Sequence, residues 1–345
     1  MSKSTTIRSS DKQGDSHGVA NTAEPVMMHR PRALNSPELT PRLVADTKAM
    51  PAIEPPELTP RLAADTKAVP AIEPPELAAK FQALLDYFLA KKEQGIGVAF
   101  SGGIDSTLVL WAAHQALGDR ARAYNGVASI FPSYETDEAR EFCKEHNIAY
   151  TAVVLNPLEI EGYRDNPPER CYICKHMIFS TLIEQAARDG FAVIVDGTNA
   201  DDNADDRPGM KALVELGVQS PLKELGIAKA EIRELSRLLG LPCWSKGSFA
   251  CLMTRFGQGQ HISDDMLLMV GEAESYLYEL GFTQFRVRWH AGNLARIELG
   301  DQDMKRMLDP ARMEDINHQL KELGFSQVTL DLGGFVSGSM ARPAV

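Results

Sequence analysis

Apolar positions recur along this chain in two rhythms, and the rhythms alternate. From about residue 76 to 92, Leu77, Phe81, Leu84, Leu85 and Phe88 fall three or four apart, which predicts an amphipathic helix. Short apolar runs bounded by turn residues then predict strands at 96–100, 122–128, 150–155 and 191–196. Helical spacing predicts helices near 104–117, 135–146, 170–188 and 229–239. In the first of these, Leu108, Leu110, Trp111 and Leu117 lie near one stripe, so that helix too is expected to be amphipathic. Alternation of this kind makes an α/β fold, a parallel sheet with helices on both faces. Ligands of such sheets bind outside the carboxyl ends of the strands.

The pattern changes near residue 255. A helix is expected over 264–280, then Phe285 to Trp289 and Leu294 to Leu299 as an alternating hairpin. One further helix leads to a strand over Val328 to Leu332. The run Tyr278-Glu279-Leu280-Gly281-Phe282-Thr283-Gln284 echoes Lys321-Glu322-Leu323-Gly324-Phe325-Ser326-Gln327. Each copy reads as a helix end with a glycine cap feeding a strand. The expected domains are therefore 76–254, the parallel-sheet domain, and 255–345, a small C-terminal α+β domain of two related halves for substrate binding or oligomerisation.

Residues 1–75 show neither rhythm. They are rich in Pro, Thr, Ala and charge, and a unit of about 19 residues is duplicated: Pro37-Glu38-Leu39-Thr40-Pro41-Arg42-Leu43 returns as Pro56-Glu57-Leu58-Thr59-Pro60-Arg61-Leu62. Two proline-rich copies cannot stack into a solenoid, which needs about three units with a face to bury. The segment is expected to be a disordered extension.

At 345 residues, the chain has room for about two folded domains. A formal charge of −11 argues against nucleic acid as the main partner, because binding phosphodiester chains needs a basic face. It leaves room for a local basic pocket around a small phosphorylated substrate. No apolar run approaches the roughly 20 residues of a membrane helix, and the start Met-Ser-Lys-Ser-Thr-Thr has no apolar signal core. Five cysteines are too few for a disulfide scaffold of this length, so a reducing, cytoplasmic setting is expected.

The richest motif is Gly97-Val98-Ala99-Phe100-Ser101-Gly102-Gly103-Ile104-Asp105-Ser106. A buried strand ends at Ser-Gly-Gly and a helix begins. The glycines let backbone approach a phosphate, and the first helical turn offers free N–H groups and the positive end of a dipole. No lysine follows the second glycine, so this is not a Walker A loop. A second strand end carries Asp196-Gly197-Thr198-Asn199-Ala200-Asp201-Asp202, whose carboxylates can hold Mg²⁺ beside a nucleotide or simply make a turn. Arg207, in Asp205-Asp206-Arg207-Pro208-Gly209, can reach a carboxylate or phosphate. Cys171 and Cys174, in Arg170-Cys171-Tyr172-Ile173-Cys174-Lys175, have the spacing of a metal, cluster or redox pair. Cys243 and Cys251 follow, while Cys143 reads as a small buried hydrophobe. Arg286 and Arg288 share one strand face, since side chains alternate, and suit either a phosphate or solvent; Glu274, Arg296 and Glu298 are their candidate ion-pair neighbours.

Ser-Gly-Gly-Ile-Asp-Ser resembles the PP-loop of the ATP pyrophosphatases, with a HUP-like parallel sheet. Arg170 to Lys175, Asp196 to Asn199 with Arg207-Pro208-Gly209, Ser220-Pro221-Leu222, Lys229-Ala230-Glu231-Ile232-Arg233, Ala250-Cys251-Leu252 and Arg286-Val287-Arg288 narrow the resemblance. In that order they are similar to the LarE family of ATP-dependent sulfur transferases, over about residues 76 to 335. The resemblance implies ATP and Mg²⁺ as cofactors and pyridinium-3,5-biscarboxylic acid mononucleotide as substrate. Adenylation of a carboxylate releases pyrophosphate, and sulfur then displaces AMP. The thiocarboxylate product feeds the nickel-pincer nucleotide cofactor, through a nickel-insertion protein and a lactate-racemase-like enzyme. Homo-oligomers are usual in the family.

By that resemblance, Ser101, Gly102, Gly103, Asp105, Ser106, Thr198 and Asn199 would bind ATP, with Asp105 on Mg²⁺. Arg286, Arg288, Glu274 and Arg207 would bind substrate. Family members with a C-x-x-C hold a [4Fe–4S] cluster on three cysteines, here Cys171, Cys174 and Cys251; others sacrifice the cysteine matching Cys251 and leave dehydroalanine. Cys243 departs from the family pattern and is either a fourth thiol near the cluster or inert. Two other readings stay open. One is a different PP-loop adenylating enzyme, NAD synthetase-like or tRNA-thiolating. The other is a nucleotide-binding protein without turnover, held by zinc on Cys171, Cys174, Cys243 and Cys251.

Overall fold

The computed structural model describes residues 72–202, 208–247, 250–336 and 340. The expectations for the duplicated extension and for Arg207 fall outside these residues. Helix α1, Pro75–Leu89, buries Leu77, Phe81, Leu84 and Phe88, as its spacing requires. The first sheet then builds from β1 (Ile96–Ala99), β2 (Ala121–Val127), β3 (Ala149–Val154) and β4 (Val193–Val195). All pairings are parallel and the order is β3-β2-β1-β4. The chain therefore runs outward from β1 to β3 and returns to the other side of β1. The switch in direction lies between β1 and β4, and the crevice beyond their carboxyl ends is where ligands of such sheets bind.

Helices α2 (Ile104–Leu117) and α3 (Ser133–Glu145) cover one face, and α4 (Arg170–Arg188) with α5 (Pro208–Glu215) covers the other. Strand alternation sorts the core accordingly. Ile96, Val98, Ala121 and Ala123 face α2, while Tyr124 and Ile194 face α4. Gly97 sits where Tyr124 and Ile194 cross over the strand; a Cβ there would lie 2.5 Å from the Ile194 side chain.

Helix α2 corrects one expectation. It is not amphipathic: Ile104, Leu108, Val109, Leu110, Ala112, Ala113 and Leu117 are all buried, and so are Ser106 and Thr107. It is sandwiched between the sheet, α1 and α7 (Lys229–Leu238), so almost no face meets water. A four-residue turn of helix, α6 (Pro221–Glu224), precedes α7.

The second sheet is β5 (Phe285–His290), β6 (Leu294–Leu299) and β7 (Gln327–Leu330), in that order. β5 and β6 form the expected antiparallel hairpin, and β7 joins β6 in parallel. Helix α8 (Asp264–Glu279) precedes the hairpin. The duplicated heptapeptides end α8 and a later helix alike: Phe282 N–H donates to Leu277 O and Phe325 N–H to Leu320 O, both at 3.1 Å, with Gly281 and Gly324 at positive φ. The single helix expected before β7 is two, α9 (Asp301–Met307) and α10 (Pro310–Glu322). Pro310 breaks the run, and the Asp309 carboxylate caps the restart by accepting from Arg312 N–H at 2.9 Å.

One apolar cluster binds the two sheets together. Ile130, Tyr134, Leu158, Tyr163 and Cys174 pack with Leu267, Val270, Phe285 and Val287. Tyr134 stacks on Tyr278 with ring centroids 4.3 Å apart. No helix among the described residues is long and apolar enough to cross a membrane.

Candidate functional site

The Ser-Gly-Gly turn is held open by its own side chains. Ser101 N–H donates to Ser106 Oγ at 3.3 Å, and the Ser106 and Thr107 hydroxyls donate back to Gly103 O at 3.1 and 2.9 Å. Gly102 has φ +73°, and a Cβ there would press on Ala139 and on the Glu135 carbonyl. These bonds leave the first turn of α2 facing the crevice at the sheet's switch point.

The β4 end approaches the same turn. Gly197 makes this possible, because a Cβ there would lie 2.7 Å from the Ser106 backbone nitrogen. Asn199 Nδ2 reaches Asp105 Oδ1 at 3.3 Å. Asp196 accepts from Thr198 Oγ1 at 2.5 Å and from Ser220 Oγ at 2.7 Å. Lys229, at the start of α7, pairs with Asp105 at 2.5 Å. Asp105, expected to face Mg²⁺, thus carries a lysine that sequence reading did not assign to it. Lys246 pairs with Glu138 and reaches Gly102 O at 3.5 Å, placing a second ammonium beside the turn.

These groups line a cavity of about 470 Å³. Its lining includes Ser101, Gly103, Asp105, Ser106, Asp196 and Thr198 together with Cys171, Cys174 and Cys251. Cys171 and Cys174 come from the first turns of α4; Cys251 comes from the loop before a 3₁₀ turn over Leu252–Arg255. Burial pushes the Cys174 thiol up to about 12, with Cys251 and Cys171 adding to it and a hydrogen bond with Tyr163 opposing. Burial also raises Cys251, and Cys171 adds to that while Arg255 and Arg170 oppose. Both thiols hold their protons near neutral pH unless a metal or a base takes them.

Cys243 is elsewhere. It packs into the core around α2 and lines a separate, smaller cavity with Phe100 and Thr107. Burial raises its thiol. Among the described residues no group of three or more His, Cys, Asp or Glu side chains is arranged around a single metal ion. The four-cysteine zinc site considered from sequence is therefore not assembled, because one of its members belongs to a different part of the core. Cys143 is a buried core thiol, pushed up to about 12 by burial.

The arginines form a second layer. Arg286 and Arg288 are only 4% and 3% exposed and are not part of the cavity wall. This corrects the solvated-face alternative. Arg288 pairs with Glu298 at 2.7 Å and donates to Thr254 O at 2.9 Å. Arg286 lies 4.9 Å from the Phe335 ring centroid. Burial first, then the neighbouring Arg255 and Arg288, lower it to about 10 against the opposing pull of Glu274. This buried cation among cations is electrostatically suited to an anion.

Glu274 is not a neighbour waiting for substrate. It is fully buried in a two-pronged pair with Arg255, at 2.8 and 2.6 Å, and also accepts from Val287 N–H at 2.8 Å. Arg255 in turn donates to the carbonyls of Ala250 and Cys251 at 2.7 and 3.1 Å. One ion pair thus fastens the Cys251 loop to α8 and β5. Sequence reading missed Arg255; the only local signal was its place three residues after Leu252.

No protein-family model matches the chain. The pyridinium-3,5-bisthiocarboxylic acid mononucleotide synthase of Lactiplantibacillus plantarum is 39% identical over 251 residues, 72% of this chain and 90% of that protein. An uncharacterised protein of Synechocystis sp. is 40% identical over 245 residues, 71% of this chain and 91% of that one. A glutamine-hydrolysing GMP synthase polypeptide of Thermoplasma acidophilum is 29% identical over 159 residues, 42% of this chain and 51% of that polypeptide. With the parallel sheet, the Ser-Gly-Gly turn at its switch point and a relative matched over nine-tenths of its length, the chain belongs to the LarE family of pyridinium-3,5-bisthiocarboxylic acid mononucleotide synthases.

Proposed function

We propose that this protein is an ATP-dependent sulfur transferase that converts the carboxylates of pyridinium-3,5-biscarboxylic acid mononucleotide to thiocarboxylates, for a nickel-pincer nucleotide cofactor. The observation that carries this reading is one cavity lined both by the Ser-Gly-Gly turn and by three cysteines. A carboxylate is a poor electrophile. Adenylation gives it a leaving group, and sulfur must then arrive at the same carbon without admitting water. A shared cavity allows both steps without moving the substrate.

The N–H groups of the first turn of α2 bind the ATP phosphates, and Lys229 and Lys246 add positive charge beside them. Asp105 would hold Mg²⁺, which would supply further positive charge to the phosphates, with Lys229 beside it. Arg286 would bind the substrate's phosphate: it is buried beside the Arg255 and Arg288 guanidiniums, and that concentration of positive charge favours an anion. Arg255 holds the Cys251 loop in register with the cavity.

The donor set also fits an iron–sulfur group. Cys171, Cys174 and Cys251 are all sulfur donors lining one cavity, and burial leaves two of them needing a cation to become thiolates. They would hold a [4Fe–4S] cluster, which when bound supplies an open iron for a labile sulfide. Cys243, facing another cavity, would leave that iron open.

The test is pyrophosphate release by the anaerobically purified chain with ATP and Mg²⁺. Release that depends on the biscarboxylate mononucleotide is the expected result. Release driven equally by tRNA or by a nicotinate nucleotide, with none from the biscarboxylate, would overturn the reading.

A further inference from the structure

Glu135 stands in the first turn of α3, just past the carboxyl end of β2, and lines the cavity with Ser101, Cys171 and Cys251. Its Oε1 is buried and has no hydrogen-bond partner among the described residues. The other carboxylates of this cavity are engaged: Asp105 by Lys229 and Asn199, Asp196 by Thr198 and Ser220, Asp202 by Asn199 N–H. Leaving a buried carboxyl oxygen unpartnered is costly.

We propose that Glu135 is the proton acceptor of the sulfur-transfer step, taking the S–H proton of the incoming nucleophile as its sulfur bonds to the activated carboxylate carbon. The inference rests on the adenylation and sulfur-transfer chemistry proposed above. The nucleophile is a thiol or hydrosulfide. The S–C bond forms, the bond from carbon to the AMP oxygen breaks, and its electron pair leaves with AMP. The proton moves from sulfur to the Glu135 carboxylate.

The surroundings suit this exchange. Burial pushes Glu135 up to about 7; Lys246 on the loop after α7, Arg255 of the 3₁₀ turn and Arg286 of β5 pull it down, and Glu138, one turn along α3, pushes it up. Glu135 lines the same cavity as Cys174 and Cys251. A carboxyl that is partly ionised near neutral pH is a matched partner for an S–H proton.

The experiment is single-turnover analysis of Glu135→Gln and Glu135→Asp with ATP, Mg²⁺, the biscarboxylate mononucleotide and sulfide, following acyl adenylate and thiocarboxylate against pH. In the native protein, thiocarboxylate formation rises with pH through an inflection at about 7. In Glu135→Gln it falls about 10²–10³-fold and loses that inflection, while acyl adenylate builds up. Glu135→Asp keeps the inflection at a lower rate. A Glu135→Gln protein that makes thiocarboxylate at the native rate with the native inflection overturns the proposal. So does one that loses adenylate and thiocarboxylate together while keeping a native circular dichroism spectrum, which would make Glu135 structural. A native protein that forms no acyl adenylate at all would instead overturn the chemistry on which the proposal rests.

Discussion

Gly197→Ala tests whether the two strand ends must touch. The added methyl would sit 2.7 Å from the Ser106 nitrogen and 3.1 Å from the Asp105 carbonyl carbon and Cβ. Ordinary contact begins near 3.4 Å, so the β4 end and the first turn of α2 must part by about 0.7 Å. No flexible side-chain tip is available to give way, because the nearest atom is backbone. Overpacking of this kind costs about 1–3 kcal/mol, which lowers the melting temperature of a chain this size by roughly 2–5 °C. The functional cost is larger in proportion. Asn199 loses its 3.3 Å reach to Asp105, and a misplacement near 1 Å can cost about 10²-fold in rate. Substrate-dependent pyrophosphate release should therefore fall by about 10- to 100-fold. Gly257→Ala is the control, since its nearest neighbour would be 3.6 Å away. A Gly197→Ala protein that melts with the native chain and releases pyrophosphate at the native rate would refute the argument that this contact builds the site.

Arg255→Ala strands Glu274 as a fully buried, uncompensated charge and should destabilise the fold by about 3–5 kcal/mol in urea denaturation; replacing both partners by methionine should cost less, and an equal cost would contradict the pairing. Glu135→Gln has a pH signature in stability as well as in rate. The native carboxyl titrates at about 7 when folded against 4.5 unfolded, so its contribution is fully present below 4.5 and lost as pH rises towards 7. The variant should therefore gain stability over the native chain across that window, by up to about 3 kcal/mol, and a flat difference would show that Glu135 is not shielded from water. Cys243→Ala should leave iron content unchanged and Cys171→Ala should abolish it, measured on anaerobically purified protein; loss of iron from both would place Cys243 with the other thiols.

The strands and most helices were legible because each has a face to bury and a turn residue to end it. Helix α2 was misread for a physical reason: a helix enclosed by sheet, α1 and α7 has no polar stripe to reveal its period. Helices α9 and α10 run together in the apolar pattern, and only Pro310, with Asp309 before it as a good cap, marks the break. The Ser-Gly-Gly turn and Asp196 to Asn199 declared themselves by spacing at strand ends. Their cationic partner did not. Lys229 lies 124 residues from Asp105, and only the α7 start brings them together. The arginine layer was half legible. Alternation placed Arg286 and Arg288 on one face, but an Arg-x-Arg strand looks the same in water and in a core. Arg255 and Glu274 are 19 residues apart across a turn and a helix, a distance with no local pattern. Glu135 carried no sequence signal, since an acidic residue in a first helical turn is ordinary surface chemistry.

The most direct measurement of the central claim is mass spectrometry of the nucleotide after anaerobic turnover with ATP, Mg²⁺ and sulfide. The expected result is exchange of carboxylate oxygen for sulfur on pyridinium-3,5-biscarboxylic acid mononucleotide, with AMP and pyrophosphate released in step with each exchange. Nucleotide recovered without sulfur, while ATP is still cleaved to AMP and pyrophosphate, would contradict it.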